Sequence, residues 1–181
     1  MKNLLTAALL LLTVFTVQAQ KKCKYNIDKE DILTGESLIG VSEKFLVKDY
    51  QTNDIVHNWW VLSIYKSSDD YYMTFEAPIT GDTDYKINEG DSLLIGIRGQ
   101  KPLVLFSKSE VMPLGVVHEG IVFTVYKIEC SLTKEQLKLL AENATSAFII
   151  HAGEKKWTFS YLKPERTPEK VRRRAECMLV L

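Results

Sequence analysis

Net charge is the first thing this 181-residue chain lacks: 23 Lys and Arg stand against 23 Asp and Glu. A chain so balanced has no global field to draw it onto nucleic acid or an anionic lipid surface. No nucleic-acid partner is expected. Proline and glycine are sparse, at 5 and 9 residues, and no Pro/Gly/Ser-rich linker, repeat or low-complexity tract interrupts the sequence. Nothing marks an internal domain boundary. Histidine is rarer still, with His57, His118 and His151 as the full set. No two of them stand at an i, i+4 helical spacing, so a zinc site would need all three brought in from distant segments. The Gly-x-Ser-x-Gly elbow of many hydrolases is absent. No cofactor pattern is present and none is expected.

Long apolar runs are missing too, with one exception at the start. Residues 1–20 read MKNLLTAALLLLTVFTVQAQ. Lys2 gives a short positive region, residues 4–17 an apolar run, and Val17-Gln18-Ala19 a small-residue exit. That order is the secretory pattern. The alternatives are an uncleaved membrane anchor and lipidation at Cys23. A spanning helix needs about 20 apolar residues, and this run ends earlier, in Gln18 and Gln20. Gln20-Lys21-Lys22 is unlike the Leu-small-small run before a lipidated bacterial Cys. The sequence therefore predicts a signal peptide over 1–19, cleaved near Ala19, and a single exported domain over 20–181. Its address is the periplasm or the extracellular space, with no transmembrane span in the mature chain.

Three cysteines remain after such cleavage: Cys23, Cys130 and Cys177. Export permits a disulfide, and an odd count leaves one thiol over. Cys23 and Cys177 lie near the two ends of the mature chain, and domain termini are often neighbours. A Cys23–Cys177 bridge is expected; the alternative is three free thiols. Cys130 ends an apolar alternating segment and reads as a buried small hydrophobe.

Most of the chain alternates with the period of two that marks strands. Residues 59–66 and 71–77 flank Ser67-Ser68-Asp69-Asp70, a turn sequence. Residues 93–98 and 103–107 flank another turn, as do 147–151 and 157–162. Residues 45–48 suggest a further strand. Residues 116–130 read as one long strand with Gly120 as a bulge. Two helices interrupt the pattern. Thr133-Lys134-Glu135-Gln136 is a capping box, followed by an apolar stripe of Leu137, Leu140 and Ala141, with Asn143 as its end. The second helix is expected to start with Thr167 as N-cap and Pro168 at its first position, with Val171, Ala175, Met178 and Leu179 on one face. The basic cluster at 170–174 falls on its solvated side. The fold class is mainly β: an antiparallel β-sandwich or strongly curved sheet with two short helices, the second C-terminal and docked on the sheet.

Tyr25-Asn26-Ile27-Asp28 and Thr34-Gly35-Glu36, together with Leu132-Thr133-Lys134-Glu135-Gln136-Leu137, resemble small exported proteins of Gram-negative bacteria. Those open on an Asp…Thr-Gly segment and end in a strand, a Thr-Lys-Glu-Gln-Leu helix, a strand pair and a C-terminal helix. The resemblance covers most of the chain in order of elements. It implies a sandwich-type fold. The family is uncharacterised and brings no functional residues.

Two local patterns fail on inspection. Residues 81–91 are acidic, and Asp82 and Asp84 fit the first positions of a calcium loop. Lys86 then stands where a ligand oxygen is needed, and Ile87 where glycine is required. Asn143-Ala144-Thr145 matches a glycosylation sequon that only a host with that machinery would use.

The aromatic content of the 59–76 hairpin is the feature with functional content. A symmetric turn at 67–70 sets Lys66 opposite Tyr71, Tyr65 opposite Tyr72, Ser63 opposite Thr74 and Val61 opposite Glu76. Side chains alternate between faces. Trp60, Leu62, Ile64, Tyr71, Met73 and Phe75 then form a core face. The other face carries Trp59, Tyr65 and Tyr72 among hydroxyls, a surface on which a sugar ring or a peptide could stack. The alternative is sheet packing, by cross-strand aromatic pairs or under the C-terminal helix. The function expected is a non-catalytic binding module, with an envelope protein or a carbohydrate as ligand. The alternative from another class is a small periplasmic hydrolase using one of the histidines.

Overall fold

Alternation of buried and half-buried side chains builds most of this molecule. The computed structural model describes residues 23–30, 35–46, 59–81, 84–118, 120–161 and 166–181. The expected signal peptide, His57 and Asp82 lie outside them. Among the described residues ten strands and two helices follow in the order β1 (Ile27–Glu30), β2 (Ser37–Leu46), β3 (Trp59–Ser67), β4 (Asp70–Thr80), β5 (Ser92–Ile97), β6 (Leu103–Phe106), β7 (Leu114–His118), β8 (Ile121–Leu132), α1 (Lys134–Glu142), β9 (Thr145–Ala152), β10 (Lys155–Ser160) and α2 (Thr167–Leu179).

The strands form two antiparallel sheets. One has six strands in the order β1-β2-β3-β4-β8-β7, the other four in the order β10-β9-β5-β6. A bridge between Ser107 and Cys130, with Lys108 N donating to Glu129 O at 2.9 Å, carries β6 onto β8 and joins the sheets along one side. The chain is thus mainly β, a strongly curved antiparallel arrangement with its core inside the curve. The register of β3 on β4 is the one the sequence predicts, with Tyr65 opposite Tyr72 and Val61 opposite Glu76. The predicted core face is buried throughout. At its centre Trp60 stacks on Phe45 with centroids 4.0 Å apart, and meets Phe148 of the smaller sheet at 4.9 Å. Full burial of a large apolar side chain is worth about 1.5–3 kcal/mol, so this aromatic cluster clamps the sheets together.

The helices close the open side. In α1 Thr133 and Gln136 make the capping box: Gln136 N donates to Thr133 Oγ1 at 3.2 Å, and Thr133 N to Gln136 Oε1 at 2.8 Å. Leu137, Leu140 and Ala141 are its buried face. Asn143 ends it, donating to Leu139 O at 2.8 Å. Helix α2 packs on α1 and reaches β2, β3 and β9. Cys177 in α2 is bonded to Cys23, with Cα atoms 5.4 Å apart, so a disulfide ties the start of the described chain to its last helix. Tyr25 adds a hydrogen bond to Cys177 O at 3.0 Å. The basic cluster of α2 is ion-paired within the molecule: Lys170 and Arg174 hold Glu43 of β2, while Arg172 and Arg173 hold Glu169.

Three expectations need correction. Residues 116–130 are a hairpin, with β7 and β8 meeting at the pair His118–Ile121. Gly120 sits at φ 79°, a left-handed conformation open to glycine and suited to a tight reversal. The N-cap of α2 is Arg166, with no side-chain cap, and Thr167 is already helical. Proline suits either of the first two helical positions, so it marks a helix start only to within a residue. The strand foreseen near Phe45 is the end of β2, which begins at Ser37, and β1 was not foreseen. Charged residues dominate β1 and hide its period.

Candidate functional site

Residues of β3 and β4 that point away from the core lie on the outer face of the six-stranded sheet. Helix α2 does not cover them. Its Lys170 and Arg174 reach Glu43, which pairs with Leu62 and shares the core side. Trp59, Tyr65 and Tyr72 are each half-buried. They do not converge. Trp59 and Tyr65 stand at opposite ends of β3, six residues and about 20 Å apart at strand rise. Two separate clusters result.

The first surrounds the tyrosines. Tyr65 and Tyr72 stack with centroids 5.4 Å apart. Lys108 Nζ lies 4.0 Å from the Tyr72 centroid, so that ring is flanked by an aromatic and a cation. The Tyr65 hydroxyl donates to Glu129 Oε2, and Lys108 donates to Glu129 Oε1 at 3.0 Å. Gly40 of β2 faces Tyr65, and a Cβ there would come within 2.5 Å of Tyr65 Cβ. Glycine is what lets the strands run so close at this point. Burial, then the Glu129 hydrogen bond and charge, push the Tyr65 hydroxyl well above its ordinary value. Burial also works to raise Glu129, but hydrogen bonds from Tyr65 and Lys108 outweigh it and hold this carboxyl below the usual range. At neutral pH the cluster is thus a protonated tyrosine on an ionised carboxylate. Neither group is poised for proton transfer.

The second cluster is apolar. Pro78 of β4, Phe123 and Val125 of β8, and Val116 and Val117 of β7 line a groove of about 330 Å³ that Trp59 and Lys44 complete. Lys44 Nζ lies 4.5 Å from the Trp59 ring centroid and is the only charge among the described residues that line the groove. The strand pairs Pro78–Val125 and Val116–Phe123 explain the juxtaposition: side chains opposite one another across three strands share a face. Of this groove the sequence singled out Trp59 alone. Lys44 and Pro78 come from β2 and β4, and the other four lining residues from β7 and β8, which the long-strand reading had placed in line rather than side by side.

Among the described residues the remaining candidates assemble no catalytic centre. The side chain of His118 and all of His57 lie outside the described residues. His151 is half-buried on β9, opposite Ser92 and Lys156, and its Nε2 has no hydrogen-bond partner among the described residues. Cys130 is buried, and burial followed by the Glu129 charge pushes its thiol up to about 12, so it is no nucleophile at neutral pH. Among the described residues no group of three His, Cys, Asp or Glu could hold a metal ion, and no helix is long and apolar enough to cross a membrane. No family model matches this chain, and neither a curated protein nor a solved structure does.

Proposed function

We propose that this chain is an exported, non-catalytic binding module, similar in its order of elements to small exported proteins of Gram-negative bacteria, and that it holds an apolar segment of an envelope protein in the groove beside Trp59. The observation that carries the reading is the groove itself: a concave, partly open apolar strip on a sheet face that the helices leave uncovered. Binding sites are concave and mostly apolar, with few polar groups. A carbohydrate fits less well. Sugar rings need a free aromatic face with hydrogen-bonding groups beside it, and the Tyr72 ring already stacks with Tyr65 and holds Lys108 over it. The Cys23–Cys177 disulfide supports export, because such bonds persist in oxidising compartments.

Intrinsic fluorescence tests it. Apolar peptides and soluble polysaccharides are titrated into the purified protein and into Trp59→Ala and Tyr72→Ala variants. The expected result is a saturable change with apolar peptides, lost in Trp59→Ala and kept in Tyr72→Ala. Saturation by a polysaccharide, lost in Tyr72→Ala, would move the site to the tyrosines. No saturable change with any ligand would end the binding reading.

A further inference from the structure

Four strands stand at the ends of the two sheets: β1, β7, β10 and β6. An unpaired strand edge templates association, and proteins blunt such edges with charge, brevity or cover. Three of the four are blunted here. β1 is four residues long and carries Asp28, Lys29 and Glu30. β10 opens on two exposed lysines, Lys155 and Lys156. β6 is four residues long and passes at Ser107 onto β8.

Among the described residues β7 has no such protection. Its sequence, LGVVH, contains no Lys, Arg, Asp or Glu. Leu114 is 62% and Val117 70% exposed, so apolar side chains stand out on both of its faces. Met112, just before it, is 65% exposed. Among the described residues no strand pairs with its second edge.

We infer that β7 is a homodimer interface, pairing antiparallel with β7 of a second copy about a two-fold axis near Val116. Charge decides the occupant. Pairing centred there sets Val116 against Val116, Gly115 against Val117 and Leu114 against His118 of the other copy, and neither strand carries a Lys, Arg, Asp or Glu to repel or to be stranded. A strand of ordinary polar composition would bring its charges beside Leu114 and Val117, where nothing answers them. The contact is isologous and therefore closes at two copies. The charged β1 at the far end of the sheet prevents further growth. An axis of this kind stands perpendicular to the sheet, so the outer faces of both copies point the same way. The apolar grooves beside each Val116 then meet at the axis. The inference does not rest on the proposed ligand: it is argued from the edge and composition of β7, although Val116 and Val117 also line the groove.

Light scattering coupled to size exclusion, over a range of concentrations, tests it on the purified protein. The expected mass is twice that of one chain. Leu114→Lys and Val117→Lys should each weaken the dimer at least tenfold and return a single-chain mass. Phe106→Lys, at a side chain 60% exposed on β6, should leave it a dimer. All three positions are exposed, so circular dichroism of the variants should match the parent. Hydrogen exchange adds a second readout: alternate β7 amides should be protected in the parent and exposed in Val117→Lys. A single-chain mass at every concentration overturns the inference. So does a dimer that survives both lysines at β7, or one that Phe106→Lys abolishes.

Discussion

The two flanks of the six-stranded sheet are built on opposite terms. At the β2 flank the sheet is held from the core side by α2, through the Glu43 ion pairs with Lys170 and Arg174 and a disulfide into the same helix. Its outermost strand, β1, is short and charged. At the β7 flank no ion pair touches the strand among the described residues, Leu114, Val116 and Val117 are apolar and exposed, and no described strand pairs with the outer edge. The fold is secured at one end of the sheet and left adhesive at the other. Substitutions should therefore separate cleanly: those at the first flank alter stability, and those at the second alter association.

The disulfide is the largest lever. Replacing Cys23 and Cys177 together by serine should destabilise the protein by about 2–5 kcal/mol, because the bond closes most of the chain into one loop. Urea unfolding measures this, and a midpoint within error of the parent would mean the first flank does not depend on its covalent tie. Glu43 comes next. Burial works to raise its pKa, but the hydrogen bonds and charges of Lys170 and Arg174 outweigh it, and the carboxyl titrates below its ordinary value. A carboxylate lowered in the folded state contributes stability that is full above the unfolded value, about 4.3, and is lost as pH falls through the folded value. Glu43→Gln should thus cost about 1 kcal/mol at neutral pH, the scale of a partly exposed ion pair. The gap to the parent should close as the solution is acidified below the ordinary glutamate range. A gap unchanged from neutral to strongly acid pH would show that charge at Glu43 is not what holds α2. The smallest effect belongs to the second flank: Leu114→Lys should change the stability of the single chain by less than about 0.5 kcal/mol. A larger loss would mean that β7 is part of the fold's own support and would dissolve the contrast between the flanks.

Some of this was legible in the residues. The β3–β4 register followed from a symmetric turn and a strict alternation, because a one-residue slip would have turned Trp60 and Phe75 out of the core. Helix α1 was legible because the capping box is local chemistry. The Cys23–Cys177 pair followed from the position of the two residues near the ends of the chain. The β7–β8 hairpin was not legible: apolar residues run on both sides of Gly120, and only the long-range pairing of β7 with β8 distinguishes a reversal from a bulge. That error concealed the candidate groove, since Val116 and Phe123 adjoin only if the chain turns back between them. The tyrosines were legible as a pair. Their engagement by Glu129 and Lys108 was not, because Lys108 arrives from the other sheet by the Ser107 crossing.

By itself the sequence determined what depends on neighbours along the chain: strand period, turn placement, a helix cap, and the division of the hairpin into a wet face and a dry one. Only the tertiary structure decided which wet face α2 would leave open, which strands would lie side by side across it, and which edge would be left without charge or cover. Those are outcomes of long-range pairing, and the residues that meet in them are separated by tens of positions, beyond the reach of any local propensity.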